Sequence, residues 1–189
     1  MTLGEYLTGI SYKSDLERPD RIEISTVTND SRQVRAGAIF VCIQGGKFDG
    51  HDKALQALED GAAAVVVQRD LGLPEQVLVE NTRSAYAILC ANHFGNPARR
   101  MTLVGVTGTN GKTTITYLIK GILQSAGKKV GLMGTIRNEI LELEFPAKHT
   151  TPDPYQLHAM LHRMAQAGCQ YVVMETSSHA LDQHRLDGC

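Results

Sequence analysis

Short apolar runs and stretches with helical spacing alternate along the whole chain. In the first half, continuous apolar runs predict buried strands over residues 38–43, 62–68 and 76–80. Residues 51–61 would place Ala54, Leu55 and Leu58 on one face of a helix that ends at Gly61. A second helix is predicted over residues 81–94, with Asn81 or Thr82 as its capping residue.

This alternation is interrupted over residues 95–100, where glycine, proline and two arginines indicate a turn or linker. We place a domain boundary there, with one domain over residues 1–98 and a second over residues 99–189. The predicted strands of the second domain cover residues 102–107, 128–135, 139–145 and 170–178, and its predicted helices end at Gly127 and Gly168. Strands that alternate with helices imply parallel pairing through crossover helices, so we expect doubly wound α/β architecture.

Composition narrows the function classes. With 189 residues, 42% of them hydrophobic and 21% charged, the chain is an ordinary globular one with room for one or two domains. Its formal charge of -1 offers no basic excess for nucleic acid. No signal-peptide pattern opens the sequence and no run approaches a membrane span, so we expect a cytoplasmic protein. The cysteines lack CxxC spacing, which favours free thiols over a disulfide or metal site: Cys42, Cys90, Cys169 and Cys189.

The stretch GVTGTNGKTT, residues 105–114, joins a predicted strand to a predicted helix. Backbone N–H groups of such a turn and of the helix N-terminus point at one anion, as in a phosphate-binding loop. Lys112 would place charge on the β- and γ-phosphates, and Thr113 would offer a hydroxyl to Mg²⁺. The strict pattern fails at one position, because Val106 stands five residues before Gly111. The alternative is a tight strand-to-helix turn with an exposed lysine.

A P-loop protein also needs a carboxylate near the magnesium ion. Glu175 follows an apolar run and would lie at the carboxyl end of a buried strand, where α/β sheets gather their ligands. It could instead be a solvated strand terminus. His179 could bind metal or only cap a loop, since neutral histidine does both.

Three segments together resemble the Mur ligase family. They are TGTNGKTT at residues 107–114, TTP at 150–152 and ETSSHALDQHR at 175–185. The segment Asn29 to Asp52 is similar to the uridine-nucleotide-binding domain of that family, and the resemblance extends from about Val27 to the last residue. The chain looks most like the members that add the third amino acid to the peptidoglycan stem peptide.

The resemblance implies a role for each matching residue. The ATP phosphates would be held by Gly108, Thr109, Asn110, Gly111, Lys112, Thr113 and Thr114. Magnesium would be bound by Thr113, Glu175 and His179, and the catalytic residues would be Lys112, Glu175 and His179. The uridine nucleotide would contact Ser31, Gly46 and Lys47. The peptide end of the substrate would contact Thr150, Thr151, Ser177, Gln183 and Arg185. Ser31 could otherwise be a turn residue, and Arg185 a solvated charge.

Two features depart from the family pattern. His149 stands where many relatives carry asparagine, which puts the hydrogen bonding beside Thr150 in question. The chain also ends at Cys189, before the family's carbamylated lysine and its amino-acid-binding C-terminal domain. We therefore expect a small α/β uridine-nucleotide domain followed by a partial P-loop domain with a doubly wound, mostly parallel sheet. As an N-terminal fragment it should be inactive alone.

The resemblance implies an ATP- and Mg²⁺-dependent amide ligase of peptidoglycan precursor synthesis. It would join an amino acid to UDP-MurNAc-L-Ala-D-Glu through an acyl phosphate, without nucleic acid or membrane insertion, and as a monomer when full-length. The amino acid, meso-diaminopimelate or L-lysine, is left open. One alternative is the next ligase of the pathway, which adds D-Ala-D-Ala and fits the TTP and SSHAL segments less well. The other is a nucleotide-binding module without turnover.

Overall fold

The computed structural model describes residues 1–46 and 48–189, which form two compact units, Met1–His93 and Phe94–Cys189. The predicted division after residue 98, as a boundary between functional domains, stays a prediction. Lys47, predicted to bind the uridine nucleotide, lies outside the described residues. In the described part of the chain, no helix combines the length and apolar character needed to cross a bilayer.

The first unit contains a five-stranded sheet in the order β1-β5-β4-β3-β2. Its strands are β1 (Tyr12–Lys13), β2 (Thr26–Thr28), β3 (Ala38–Val41), β4 (Ala64–Val67) and β5 (Gln76–Val79). Its α-helices are α1 (Leu3–Tyr6), α2 (Ala54–Glu59) and α3 (Thr82–His93), with 3-10 helices at Pro19–Arg21, Ser31–Gln33 and Gly50–Lys53. Strand β1 is antiparallel to β5, and the other neighbours are parallel, as the alternation of strands and helices predicts.

The predicted apolar face of α2 is wrong at one position. Leu55 is 59% exposed, whereas Ala54 and Ala57 are buried against β3 and β4. The helix turns its small side chains toward the sheet, and Leu58 packs against the same cluster while only partly buried. Helix α3 begins as predicted, since the Oδ1 of Asn81 accepts hydrogen bonds from the first N–H groups of the helix.

The second unit contains another five-stranded sheet, in the order β6-β10-β7-β8-β9. Its strands are β6 (Thr102–Val106), β7 (Val130–Met133), β8 (Arg137–Ile140), β9 (Leu143–Pro146) and β10 (Tyr171–Glu175). Its α-helices are α4 (Lys112–Ser125), α5 (Pro154–Gln166) and α6 (Ser178–Asp182), and a 3-10 helix spans Pro97–Arg100. Strands β6, β10 and β7 are parallel, while β7, β8 and β9 pair in antiparallel fashion.

The α/β class is confirmed, but three details of the second unit differ from the sequence analysis. The single strand predicted over residues 139–145 is a hairpin that turns at Leu141, whose φ of 57° is unusual for leucine. The sheet is therefore mixed rather than mostly parallel. The strand predicted to reach residue 178 ends at Glu175, and α6 follows with the Ser177 hydroxyl as its N-cap.

Helices cover both faces of the second sheet. Helix α4 packs Ile119 and Leu123 against Val130, Leu132 and Val173, while its residues Ile115, Leu118 and Ile122 stay exposed. Helix α5 covers the opposite face with Leu157, Leu161 and Met164. This arrangement brings the carboxyl ends of β6, β10 and β7 to one edge, where α/β proteins place their ligands.

Candidate functional site

The predicted phosphate-binding loop lies between the end of β6 at Val106 and the start of α4 at Lys112. Gly108 and Gly111 have φ values of 148° and 79°, a region that side-chain-bearing residues rarely adopt. Gly111 is the N-cap of α4, and among the described residues no side chain caps the first N–H groups of this helix. Those N–H groups and the positive end of the helix dipole therefore remain for an anion.

Lys112 supplies the cation of this loop. Its Nζ donates a hydrogen bond to the carbonyl oxygen of Gly108 at 2.7 Å, so the ammonium group lies across the loop. The ammonium group of Lys112 can therefore bind an oxyanion in the loop. Replacing the Gly108 carbonyl by a phosphate oxygen as its acceptor would give a stronger hydrogen bond, because donor and acceptor would then both be charged.

Glu175 is the buried carboxylate of the site. It ends β10 between Val106 of β6 and the end of β7, and only 2% of its surface is exposed. Its Oε1 accepts hydrogen bonds from the Thr113 hydroxyl at 3.0 Å and from the Thr135 backbone N–H at 2.9 Å. Its Oε2 lies 3.1 Å from the Thr135 hydroxyl. The carboxylate is therefore fixed at both oxygens and faces the first turn of α4.

This pair of oxygens fits a magnesium ion. Two neighbouring ligands of an octahedral Mg²⁺, each about 2.1 Å from the ion, lie about 3.0 Å apart. The Oγ1 of Thr113 and the Oε1 of Glu175 have that separation, 3.0 Å. His179 is exposed on α6, and its role as a metal ligand stays a prediction. Within residues 1–46 and 48–189, no three His, Cys, Asp or Glu side chains gather as a metal cluster.

The five residues predicted to meet the peptide end of a substrate gather around Glu175. The Thr151 hydroxyl donates to the Glu175 carbonyl at 2.9 Å and accepts from the Ser177 N–H at 3.0 Å. Arg185 donates to the Thr151 carbonyl at 3.1 Å and, through two nitrogens, to the Gln183 Oε1 at 3.1 and 2.8 Å. Thr150 joins through its hydroxyl, 3.0 Å from that of Thr135. Arg185 is thus anchored rather than a free solvated charge.

The uridine-site residues predicted in the first unit lie on two short segments. Ser31 begins a 3-10 helix whose N-cap is Asp30, and hydrogen bonds from Arg32 lower the pKa of Asp30 to about 2. Gly46 follows Gly45, whose N–H donates to the Phe48 carbonyl at 2.8 Å. Their contact with a uridine nucleotide stays a prediction.

Sequence reasoning missed a hydrogen-bonded cluster built around Asp49, which follows this segment. Asp49 accepts from Arg69 at 2.7 Å, which holds the pKa of Asp49 well below its usual range, and lies 2.6 Å from the ring Nδ1 of buried His51. The other ring nitrogen of His51 accepts from the Gln68 N–H at 3.0 Å. The only signal in the sequence was the density of polar residues directly after an apolar run.

Thr135 was also missed as a site residue, although it lies only two residues beyond the end of β7. Its position at the carboxyl end of a parallel strand was the available signal, because neighbouring strands bring such residues together.

A glycine turn before a Lys-Thr helix start, beside a buried strand-end carboxylate, is typical of P-loop nucleotide-binding proteins of the α/β class. Two family models match the chain: "Mur ligase family, catalytic domain" over residues 23–92 and "Mur ligase middle domain" over residues 106–189. Together they cover most of the sequence, and the chain belongs to the Mur ligase family.

The chain is similar to curated sequences named as diaminopimelate ligases and to solved structures of two kinds of ligase. A UDP-N-acetylmuramoyl-L-alanyl-D-glutamate–2,6-diaminopimelate ligase of Caldanaerobacter subterraneus subsp. tengcongensis is 42% identical over 100% of this chain and 39% of its own length. A solved structure of a ligase with the same name has 31% identity and a TM-score of 0.80, over 100% of this chain and 38% of that one. The MurF ligase of Thermotoga maritima in complex with ADP has 28% identity and a TM-score of 0.52, over 83% and 32%. The chain therefore spans about two fifths of the length of these curated relatives.

Proposed function

We propose that this chain is part of an ATP-dependent amide ligase that adds the third amino acid to UDP-MurNAc-L-Ala-D-Glu. One observation carries the proposal: the Glu175 carboxylate is held 3.0 Å from the P-loop Thr113, and the residues predicted to bind the peptide end are linked to Glu175 through its backbone carbonyl and through Thr135. A phosphoryl group and a substrate carboxylate could therefore meet there. The names of the relatives favour 2,6-diaminopimelate over L-lysine.

When bound, ATP would transfer its γ-phosphoryl group to the substrate carboxylate and leave as ADP, with Mg²⁺ neutralising the phosphate oxygens. The amine of the incoming amino acid would then form the amide by displacing phosphate from the acyl phosphate. The chain's own residues would bring two anions together, which is the difficult part of the first step. Lys112 and the N-terminus of α4 would hold the phosphate oxygens, while Thr113 and Glu175 would place the metal. Arg185 and the Thr150–Thr151 pair would orient the peptide carboxylate.

Two alternatives are less well supported. The D-Ala-D-Ala-adding ligases of known structure share the fold, but at 23–28% identity, whereas the curated relatives at 40–45% are named for diaminopimelate. A non-catalytic nucleotide-binding module would not need a second set of polar groups beside Glu175. Because ATP and uridine nucleotides are cytoplasmic pools, we infer a cytoplasmic enzyme, and we expect a monomer.

The test measures catalytic turnover and substrate binding in the Lys112→Ala variant. The protein is expressed from the longest reading frame that contains this sequence. Formation of UDP-tripeptide from ATP, Mg²⁺, UDP-MurNAc-L-Ala-D-Glu and diaminopimelate is followed by mass spectrometry. We expect no product from Lys112→Ala, intact binding of the UDP-dipeptide by calorimetry, and normal turnover in the control Lys128→Ala, which changes an exposed lysine beyond the end of α4. A wild-type enzyme that forms no tripeptide, or product from Lys112→Ala at the wild-type rate, would refute the proposal.

A further inference from the structure

We propose that Thr135 is a positioning residue that links the binding of the substrate peptide to the binding of the metal. The inference rests on the proposed function and goes beyond it, because it gives a role to a residue outside the P-loop and outside the candidate site residues named from the sequence. Thr135 lies two residues beyond the end of β7, and its side chain lies between Glu175 and Thr150.

Thr135 holds Glu175 at both oxygens. Its backbone N–H donates to Oε1 at 2.9 Å and its hydroxyl lies 3.1 Å from Oε2. The last torsion of a glutamate side chain is broad and two-fold, so burial alone leaves the carboxylate free to rotate. Contacts from one residue to both oxygens fix its plane, which keeps Oε1 directed at Thr113. The hydroxyl of Thr135 thereby sets the geometry of the metal pair without touching the metal.

The same hydroxyl reaches toward the substrate side. The Oγ1 of Thr135 lies 3.0 Å from the Oγ1 of Thr150. A hydroxyl has one proton, and a carboxylate that binds metal can only accept hydrogen bonds. Thr135 must therefore donate to Glu175, which obliges Thr150 to donate to Thr135. The order of donation, from Thr150 through Thr135 to Glu175, follows from the distances and the number of protons.

This order couples the two sites. A carboxylate of the substrate needs a donor, so Thr150 must turn its proton away from Thr135 to bind one. Donation into a hydroxyl strengthens the hydrogen bond that this hydroxyl makes onward. When Thr150 turns to the substrate, Thr135 withdraws less charge from Glu175, and the carboxylate binds a cation more tightly. By thermodynamic linkage, a bound metal must then raise the affinity for the substrate by the same factor as the substrate raises the affinity for the metal.

The test compares four forms of the 189-residue chain: wild type, Thr135→Val, Thr135→Ser and the control Thr102→Val. Thr102 is an exposed strand residue of the same unit, for whose hydroxyl no partner is found among the described residues. Binding of Mn²⁺, as a spectroscopic substitute for Mg²⁺, is measured by electron paramagnetic resonance in the presence of ADP. The dissociation constant of UDP-MurNAc-L-Ala-D-Glu is measured by calorimetry with and without Mg²⁺ and ADP.

Thr135→Val keeps the backbone hydrogen bond and the shape but loses the hydroxyl. We expect a Mn²⁺ dissociation constant about ten-fold above that of wild type, because the carboxylate loses the contact that fixes its plane, and this loss outweighs the charge that the hydroxyl no longer withdraws from Glu175. The effect of Mg²⁺ and ADP on the UDP-dipeptide should fall to no more than two-fold. Thr135→Ser should restore both properties, and Thr102→Val should behave as wild type. A role in folding alone would lower thermal stability without changing the Mn²⁺ constant.

Three results would overturn the inference: wild-type Mn²⁺ affinity in Thr135→Val, an unchanged coupling factor, or no rescue by serine. Should Thr135→Val fail to fold, Thr150→Val provides the second measurement, since it breaks only the outer hydrogen bond. It should bind Mn²⁺ at least as tightly as wild type, because Thr135 then withdraws less charge from Glu175, and it should lose the coupling; weaker Mn²⁺ binding or retained coupling would again refute the link. Failure of the proposed function looks different, because a wild-type chain that binds neither Mn²⁺ with ADP nor the UDP-dipeptide rejects both.

Discussion

Replacing Gly134 by alanine should disrupt the two metal-binding oxygens, on Thr113 and Glu175, while leaving the fold intact. Gly134 precedes Thr135 at the end of β7, and a Cβ added there would lie 2.6 Å from the Oε1 of Glu175. The end of a flexible side chain can usually move aside. Here the oxygen is buried and accepts from Thr113 and from the Thr135 N–H, so the movement breaks hydrogen bonds.

The size of the effect follows from these distances. To reach an ordinary contact of 3.4 Å, Oε1 must recede by roughly 0.8 Å. Hydrogen bonds of 2.9 and 3.0 Å would then lengthen toward or beyond the limit at which they count as bonds. Each bond to a charged group is worth about 1.5–3 kcal/mol, so losing even one corresponds to a change of about ten-fold or more in metal affinity. We expect the Mg²⁺ requirement for nucleotide binding to rise by ~10- to 100-fold.

Nucleotide binding titrated against Mg²⁺ by fluorescence is the assay, with chemical denaturation as the measure of stability. Gly131→Ala is a matched control on the same strand, because its Cβ would meet the Met164 sulfur at 2.7 Å, in the core and away from Glu175. That variant should lose about 1–3 kcal/mol of stability through overpacking and keep its Mg²⁺ dependence. An unchanged Mg²⁺ titration in Gly134→Ala, with the protein folded, would show that Glu175 does not hold the metal.

Further expectations concern buried polar groups and the chain as a whole. Asn138→Leu should raise the free energy of unfolding, measured in urea, by about 1 kcal/mol or more, because the buried Oδ1 has no donor among the described residues. A lower free energy of unfolding would show that this oxygen does accept a hydrogen bond. Burial lowers the pKa of His158 to about 4, so the unfolded state binds the proton first and stability should fall from pH 6.5 toward 4 by up to ~3 kcal/mol. His158→Leu should flatten that slope in pH-dependent melts. The 189-residue chain should bind UDP-MurNAc-L-Ala-D-Glu by calorimetry yet form no tripeptide, and product above a Lys112→Ala background would refute this.

The P-loop and Glu175 could be predicted from the sequence because local patterns specify them. Gly111 and Lys112 combine a required backbone conformation with a charge at a helix start, and an apolar run leads directly into Glu175. Parallel pairing then places both at one edge of the sheet, which the alternation of strands and helices also predicts. Each of these inferences needs only neighbouring residues and one general rule of topology.

Other features depend on contacts that a sequence does not display. Thr135 and Glu175 are 40 residues apart, and their hydrogen bonds exist only because β7 pairs with β10. The hairpin of β8 and β9 was missed because a period-two pattern reads the same before and after a reversal, and Leu141 is not a residue that usually marks a turn. Helix α2 is rotated so that Leu55 is exposed, because its packing against the sheet buries Ala54 and Ala57 instead. The spacing of apolar residues alone does not predict this rotation.

The charged cluster between α4 and β8 sets a limit on how the second unit tolerates substitution. Glu139 is buried, and its carboxylate accepts from Lys120 and, at 2.9 Å, from Arg137. Burial raises the pKa of Glu139, but the hydrogen bonds from both cations outweigh it, so the pKa lies below its ordinary value. Such a depressed pKa contributes stability that is present above about pH 4.5 and is lost as the pH falls through the folded-state pKa.

Glu139→Gln should therefore lower the stability of the protein considerably, whereas replacing Glu139 and Lys120 together should lower it much less. The single variant leaves Lys120, only 13% exposed at its side chain, without its carboxylate, and breaking a buried pair in this way costs about 3–5 kcal/mol. Lys120→Met with Glu139→Leu replaces both charges by apolar groups, and Arg137 keeps its second partner Glu144 at 3.0 Å. We expect the double variant to lose less stability than the sum of its single variants, measured by urea denaturation at pH 7 in a double-mutant cycle. Additive losses, or a Glu139→Gln protein within 1 kcal/mol of wild type, would mean that solvent already screens this pair and that the contact between α4 and β8 rests on its apolar residues alone.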